Sequence, residues 1–126
     1  MASILVVDDE SEMCGLLQAL LEGAGHKVMT TTDPRAVEGL MEQGLFDLVI
    51  ADVVMPHRDG LEIVKELRMK HAKVGVIAMS GAAPLRRELL LEAGKMFGAD
   101  ATFGKPFRRD EVLECVAQAL KKAADR

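Results

Sequence analysis

The chain of 126 residues lacks most of what would take it out of the ordinary globular class. It has two cysteines, Cys14 and Cys115, in helix-like segments and outside any Cys-x-x-Cys or Cys/His spacing, so a disulfide framework or zinc site of that pattern is excluded. Both read as core thiols. Four prolines and 11 glycines are too few for a fibrous or low-complexity chain. Its longest apolar stretches, such as Ile4 to Val7 and Leu48 to Ala51, are strand-sized and far short of the ~20 residues of a membrane helix. Met1-Ala2-Ser3 places no cationic region before an apolar run, so we expect no secretory signal and a cytoplasmic location. Positive charge is also in deficit. Lysine and arginine total 16 against 20 acids, a net charge of -4, which argues against nucleic acid or an anionic membrane as a direct partner.

What is present is a sizeable apolar fraction, 49%, arranged in a repeating pattern. Short continuous apolar runs, of the kind that parallel strands covered on both faces require, alternate with amphipathic segments. The runs are Ile4–Val7, Lys27–Thr31, Phe46–Ala51, Val74–Met79 and Ala101–Phe103. Between them, Met13, Leu16, Leu17, Leu20 and Leu21 recur at helical spacing after Ser11, a candidate cap. Asp33-Pro34 opens a second helix and Leu61, Val64 and Leu67 mark a third. Leu85, Leu89, Leu90 and Ala93 follow Pro84, and Val112, Val116 and Leu120 make a final stripe. Five strands and five helices in alternation imply an α/β doubly wound parallel sheet, order 2-1-3-4-5. The expectation is one domain over residues 1–126, with its core at about 3–121 and a frayed polar tail at 122–126.

Ligands of such sheets bind outside the carboxyl ends of the strands, near the reversal of strand order. The polar residues there are Asp8 and Asp9, Asp52, Ser80 and Lys105. Three converging carboxylates repel one another unless a cation holds them ionised, and Mg2+, with its preference for oxygen ligands, suits them; Mn2+ could substitute. A central carboxylate, Asp52, can attack phosphorus if metal and lysine neutralise the phosphoryl oxygens. Ser80 would donate a hydrogen bond to a phosphoryl oxygen, and Lys105 would supply a mobile point charge.

The motifs Leu5-Val6-Val7-Asp8-Asp9-Glu10, Asp52-Val53-Val54-Met55-Pro56 with Asp59-Gly60, Met79-Ser80-Gly81, Gly98-Ala99-Asp100 and Lys105-Pro106-Phe107 follow one another in order. Together they resemble the receiver domains of two-component response regulators across nearly the whole chain. The resemblance implies a flavodoxin-like fold and a phosphoacceptor switch rather than a conventional enzyme. It further implies phosphorylation of Asp52 by a histidine kinase or histidine phosphotransfer protein. Mg2+ would be held by Asp8, Asp9, Asp52 and the backbone carbonyl of Val54, while Ser80 and Lys105 contact the phosphoryl group. A cis Lys105-Pro106 bond is implied as well. A downstream protein is expected at the face of the fourth helix, fifth strand and fifth helix, with the chain a monomer or a phosphorylation-dependent dimer.

Two departures from the family pattern stand out. Thr102 occupies the position where an aromatic switch residue is usual, with Phe103 one place later on the other face of the strand. The interval from Ser80 to Lys105 is also longer than the family's. The pairs Arg86-Arg87, Arg108-Arg109 and Lys121-Lys122 read as solvated helix ends. His57, near the phosphorylation loop, could act on local charge near neutral pH. Two rival classes fit less well. A Mg2+-dependent phosphatase or phosphotransferase would need a cap that the pattern does not offer. A flavodoxin would need a phosphate-cradling loop where Asp8-Asp9-Glu10 would repel the anion.

Overall fold

The computed structural model describes residues 1–56 and 59–126, so His57 lies outside the described residues. The elements run in the order β1 (Ser3–Val7), α1 (Ser11–Gly23), β2 (Lys27–Thr31), a 3-10 turn (Pro34–Ala36) leading into α2 (Val37–Gln43), and β3 (Leu48–Asp52). They continue with α3 (Gly60–Lys70), β4 (Gly75–Ser80), α4 (Pro84–Met96), β5 (Ala101–Gly104) and α5 (Arg109–Ala124). The strands are parallel and ordered β2-β1-β3-β4-β5, the expected doubly wound arrangement.

Alternation within the continuous apolar runs divides the core into two layers. Ile4 and Val6 of β1, with Ile50, Ile77, Met79 and Phe103, face Leu17, Leu21, Val112 and Val116 of α1 and α5. Leu5 and Val7, with Val49, Ala51 and Ala78, face Val37, Met41, Ile63, Val64 and Leu67 of α2 and α3. Each fully buried Ile or Leu contributes about 1.5–3 kcal/mol by leaving water, so both layers are needed to hold the sheet rigid. The order reverses between β1 and β3, which places Asp8 and Asp52 side by side beyond the register pair Val7–Ala51.

Several details differ from the sequence reading. Ser11 does not cap α1: Asp8 Oδ1 accepts the Glu10 N–H at 3.0 Å, and this turn makes Glu10 the cap residue and Ser11 the first helical one. Leu16 faces solvent while Cys14 takes its place in the core. Leu85 and Leu89 are exposed, because the part of α4 that meets the sheet is Gly94, packed against Ala78. Helical structure extends past residue 122. α5 continues to Ala124, Lys122 Nζ donates to the Asp100 carbonyl at 2.8 Å, and the Arg126 guanidinium binds the Asp100 carboxylate and the Ala72 and Val74 carbonyls. The buried Asp100 and the carbonyls between α3 and β4 supply the reason: long basic side chains reach them from the end of the helix. Among the described residues, no helix is long and apolar enough to cross a membrane.

Candidate functional site

Four of the five predicted strand-end groups are in place, and three meet directly. Asp8, Asp52, Ser80 and Lys105 are all buried, whereas Asp9 is exposed. Lys105 Nζ bridges Asp8 Oδ2 at 2.7 Å and Asp52 Oδ2 at 2.8 Å. The remaining oxygens also have partners, Asp52 Oδ1 taking the Val54 N–H at 2.8 Å and Asp8 Oδ1 that of Glu10. Glu10 Oε1 comes to 3.5 Å from the same ammonium. Oxygens of Asp8, Glu10 and Asp52 lie within 4.8 Å of one another, so the sequence reading missed Glu10 and the grouping does not include Asp9.

Local sequence builds this geometry. Asp59 caps α3 by accepting the Leu61 N–H at 2.9 Å. Gly60 lets the helix start against the end of β3, since a Cβ there would collide with the Asp52 carbonyl and Val53 Cα. Ser80 ends β4 opposite Gly104, its Oγ accepting the Ala82 N–H at 3.2 Å, and its carbonyl accepts the Lys105 N–H at 2.8 Å. The Lys105-Pro106 bond is cis, as the resemblance implied.

The electrostatics are unbalanced by design of the side-chain set: three carboxylates share one ammonium. Burial pushes the Asp52 carboxyl above its ordinary value, against the opposing pull of the Lys105 and Val54 hydrogen bonds. Burial alone would lower the lysine, but the hydrogen bonds and charges of Asp52 and Asp8 outweigh it and hold Lys105 protonated beyond the ordinary lysine range. Asp9 is raised by lost solvation and then by its Asp8 neighbour. A cluster with surplus negative charge, hard oxygen donors and one fixed cation fits a small divalent ion.

Thr102 and Phe103 fall on opposite faces of β5. Phe103 is buried in the α1/α5 layer, edge-on to Phe107 with ring centroids 5.3 Å apart. Thr102 lines an open groove of about 300 Å3 with Glu88, Leu91, Glu92 and Lys95, and among the described residues Phe103, Met96 and Phe97 are not part of its lining.

Residues 4–117 match the family model described as the response regulator receiver domain. The chain belongs to this family. This receiver domain is 32% identical over 123 residues to the transcriptional regulatory protein CpxR of Klebsiella pneumoniae, covering 98% of this chain and 51% of that protein. It is 33% identical over 120 residues to the alkaline phosphatase synthesis transcriptional regulatory protein PhoP of Bacillus subtilis, covering 95% and 49%. The chain therefore spans about half the length of these curated relatives. A solved response regulator receiver domain protein from Clostridium thermocellum superposes with a TM-score of 0.84 at 27% identity, covering 97% of this chain and 96% of that one. A CheY-like receiver protein from Methanospirillum hungatei, at 23% identity and a TM-score of 0.86 over 99% and 98% of the two chains, shares the fold. Receiver domains are switches of two-component signalling rather than conventional enzymes, and they bind Mg2+ at an acidic site.

Proposed function

We propose that this receiver domain is a Mg2+-dependent phosphoacceptor switch whose acceptor is Asp52. The observation that carries the reading is the Lys105 ammonium held between two buried carboxylates, Asp8 and Asp52, beside a third acid. In the transfer, an Asp52 oxygen gives an electron pair to the phosphorus of a phosphohistidine on a histidine kinase or phosphotransfer protein. The new O–P bond forms as the P–N bond breaks, and the departing imidazole nitrogen keeps the bonding pair and takes a proton from solvent. Lys105, already charged, passes from the carboxylates to a phosphoryl oxygen without any proton movement. Ser80 would turn its hydroxyl from the Ala82 amide toward another phosphoryl oxygen.

Asp8, Asp9, Asp52 and the Val54 carbonyl would hold Mg2+, with Mn2+ as a substitute and Glu10 an added acid supported by the observed grouping. When bound, the ion neutralises charge that gathers on the phosphoryl oxygens. The chain's own part is to keep the nucleophile desolvated, fixed by the Val54 N–H, and flanked by a permanent cation. Water attack on the acyl phosphate, returning Asp52 and inorganic phosphate, resets the switch.

The output reading is a downstream protein at the face of α4, β5 and α5. Leu85, Leu89 and Met96 recur at helical spacing on α4 and are exposed, which supports an uncovered apolar stripe there. A monomer, or a dimer formed on phosphorylation, is consistent with that surface. The test is intact-protein mass after incubation with acetyl phosphate and Mg2+. One phosphoryl adduct that disappears in Asp52→Asn and after EDTA treatment is expected; an adduct indifferent to both overturns the assignment.

A further inference from the structure

We propose that Arg87 is a positioning residue that ties helix α4 to Lys105, so that movement of the lysine on phosphorylation is carried into α4 through the guanidinium. The inference rests on the reading of Asp52 as phosphoacceptor. Its ground is a contact that the sequence, in which Arg86-Arg87 read as a solvated helix end, did not suggest. Arg87 Nη1 donates to the Lys105 carbonyl at 2.7 Å, across 18 residues of chain.

The contact needs a cleared path, and β5 provides one. A Cβ at Gly104 would lie 2.7 Å from Arg87 Cδ and 2.9 Å from its Nε, so the arginine stem crosses the strand where there is no side chain. Thr102 and Gly104 share the β5 face opposite Phe103. Both are small, and among the described residues no aromatic side chain lines the groove beside Thr102. Among the described residues, the long group that bridges β5 and α4 at this end of the sheet is the Arg87 guanidinium.

Lys105 is held at each of its other polar atoms by a different element. Its N–H reaches the carbonyl of Ser80 at the end of β4, and its Nζ reaches Asp8 beyond β1 and Asp52 at the end of β3. The stem passes Gly81, where a Cβ would stand 3.2 Å from Lys105 Cδ. Arg87 adds the fourth anchor, from α4. It sits in the first turn of that helix, its own N–H donating to the Ala83 carbonyl at 2.7 Å. The same turn follows Ala82, whose N–H binds Ser80 Oγ. Two groups expected to move toward a phosphoryl oxygen, the Ser80 hydroxyl and Lys105, are thus both wired to the start of α4. A charge-assisted hydrogen bond over a short path transmits such a shift because the packed elements on either side do not deform smoothly.

The test compares backbone amide shifts along α4 before and after phosphorylation with acetyl phosphate and Mg2+, at equal phosphorylated fraction scored by intact mass. In the wild type, amides of the first turns of α4 should shift. Arg87→Met keeps the stem and removes the donor; its α4 response should fall by about half or more, in proportion to the loss of one anchoring hydrogen bond. Arg87→Lys, which keeps a donor, should recover part of the response. Gly104→Ala breaks the same contact from the other side with Arg87 intact, and should reproduce the methionine variant. Full α4 shifts in both Arg87→Met and Gly104→Ala overturn the proposal, as does a phosphorylated wild type with a silent α4. Failure of the wild type to gain any phosphoryl group is read by mass alone and overturns the Asp52 assignment, taking the coupling with it.

Discussion

Two buried charges flank β5, and their surroundings are opposite. Asp100 precedes the strand and is 9% exposed; Lys105 follows it and is 8% exposed. Asp100 is one acid served by two arginines: Arg68 Nη2 reaches it at 2.7 Å, Arg126 binds both its oxygens, and the Val76 N–H donates at 2.9 Å. Lys105 is one cation shared by three acids. The first cluster is saturated and knits the ends of α3 and α5 to the sheet. The second has more carboxylate than cation, at the carboxyl ends of the strands where ligands enter. Burial of a charge is therefore common to both ends of β5, and what distinguishes the proposed site is the imbalance around it.

That contrast can be broken from either side. Lys105→Met should slow phosphorylation by acetyl phosphate by about 100-fold or more, the usual effect of losing one charge-stabilising donor, while Arg126→Met leaves the rate unchanged; intact-mass time courses decide. If both variants behave alike, the two clusters do not differ in kind. Asp100→Ala should act on stability instead, costing about 3 kcal/mol by leaving Arg68 and the Val76 N–H without their acceptor, with acceptor chemistry retained in the folded fraction. Urea denaturation checks the first half and mass spectrometry the second. Mg2+ should stabilise the wild type by an amount that grows with concentration, about 2.7 kcal/mol at a hundredfold excess over Kd, read as a rise in Tm. Asp8→Asn should reduce that gain and Asp100→Asn should keep it.

The smallest effect concerns pH. Because burial raises Asp52 above its ordinary value of 3.8, its ionisation works against the folded state. The proton on Asp52 favours folding fully below pH 3.8, and that contribution is lost as pH rises through the elevated folded value. Asp52→Asn should accordingly raise the Tm at neutral pH, and the gain should shrink as pH falls through the carboxylate range. A gain that grows in acid contradicts the sign.

The fold was legible because continuous β-branched runs such as Ile4–Val7 and Leu48–Ala51 can be satisfied only by a sheet covered on both faces. Asp8, Asp52 and Lys105 were legible for a related reason: a polar residue at the end of such a run must lie at the sheet's rim. What was not legible is the reach of long side chains. Arg86 and Arg87 are adjacent and chemically identical, yet one lines the open groove beside Val53 and Met55 while the other crosses Gly104 to the Lys105 carbonyl. Glu10 was given no role of its own and Arg126 fell in the polar tail; tertiary placement turns them toward Lys105 and Asp100. Cys14 is in the core as its residue type suggested, whereas Leu16 is exposed, because a stripe of five apolar residues is wider than the face of α1 that meets the sheet.

The most direct test of the central claim is to locate the acyl phosphate chemically. The wild type is phosphorylated with acetyl phosphate and Mg2+ and reduced with borohydride, which converts an aspartyl phosphate to homoserine, and its peptides are mapped by mass spectrometry. The account predicts homoserine at position 52 alone, with Asp100 and Asp8 untouched. Reduction at another aspartate, or a phosphoryl adduct that borohydride does not convert, would contradict it.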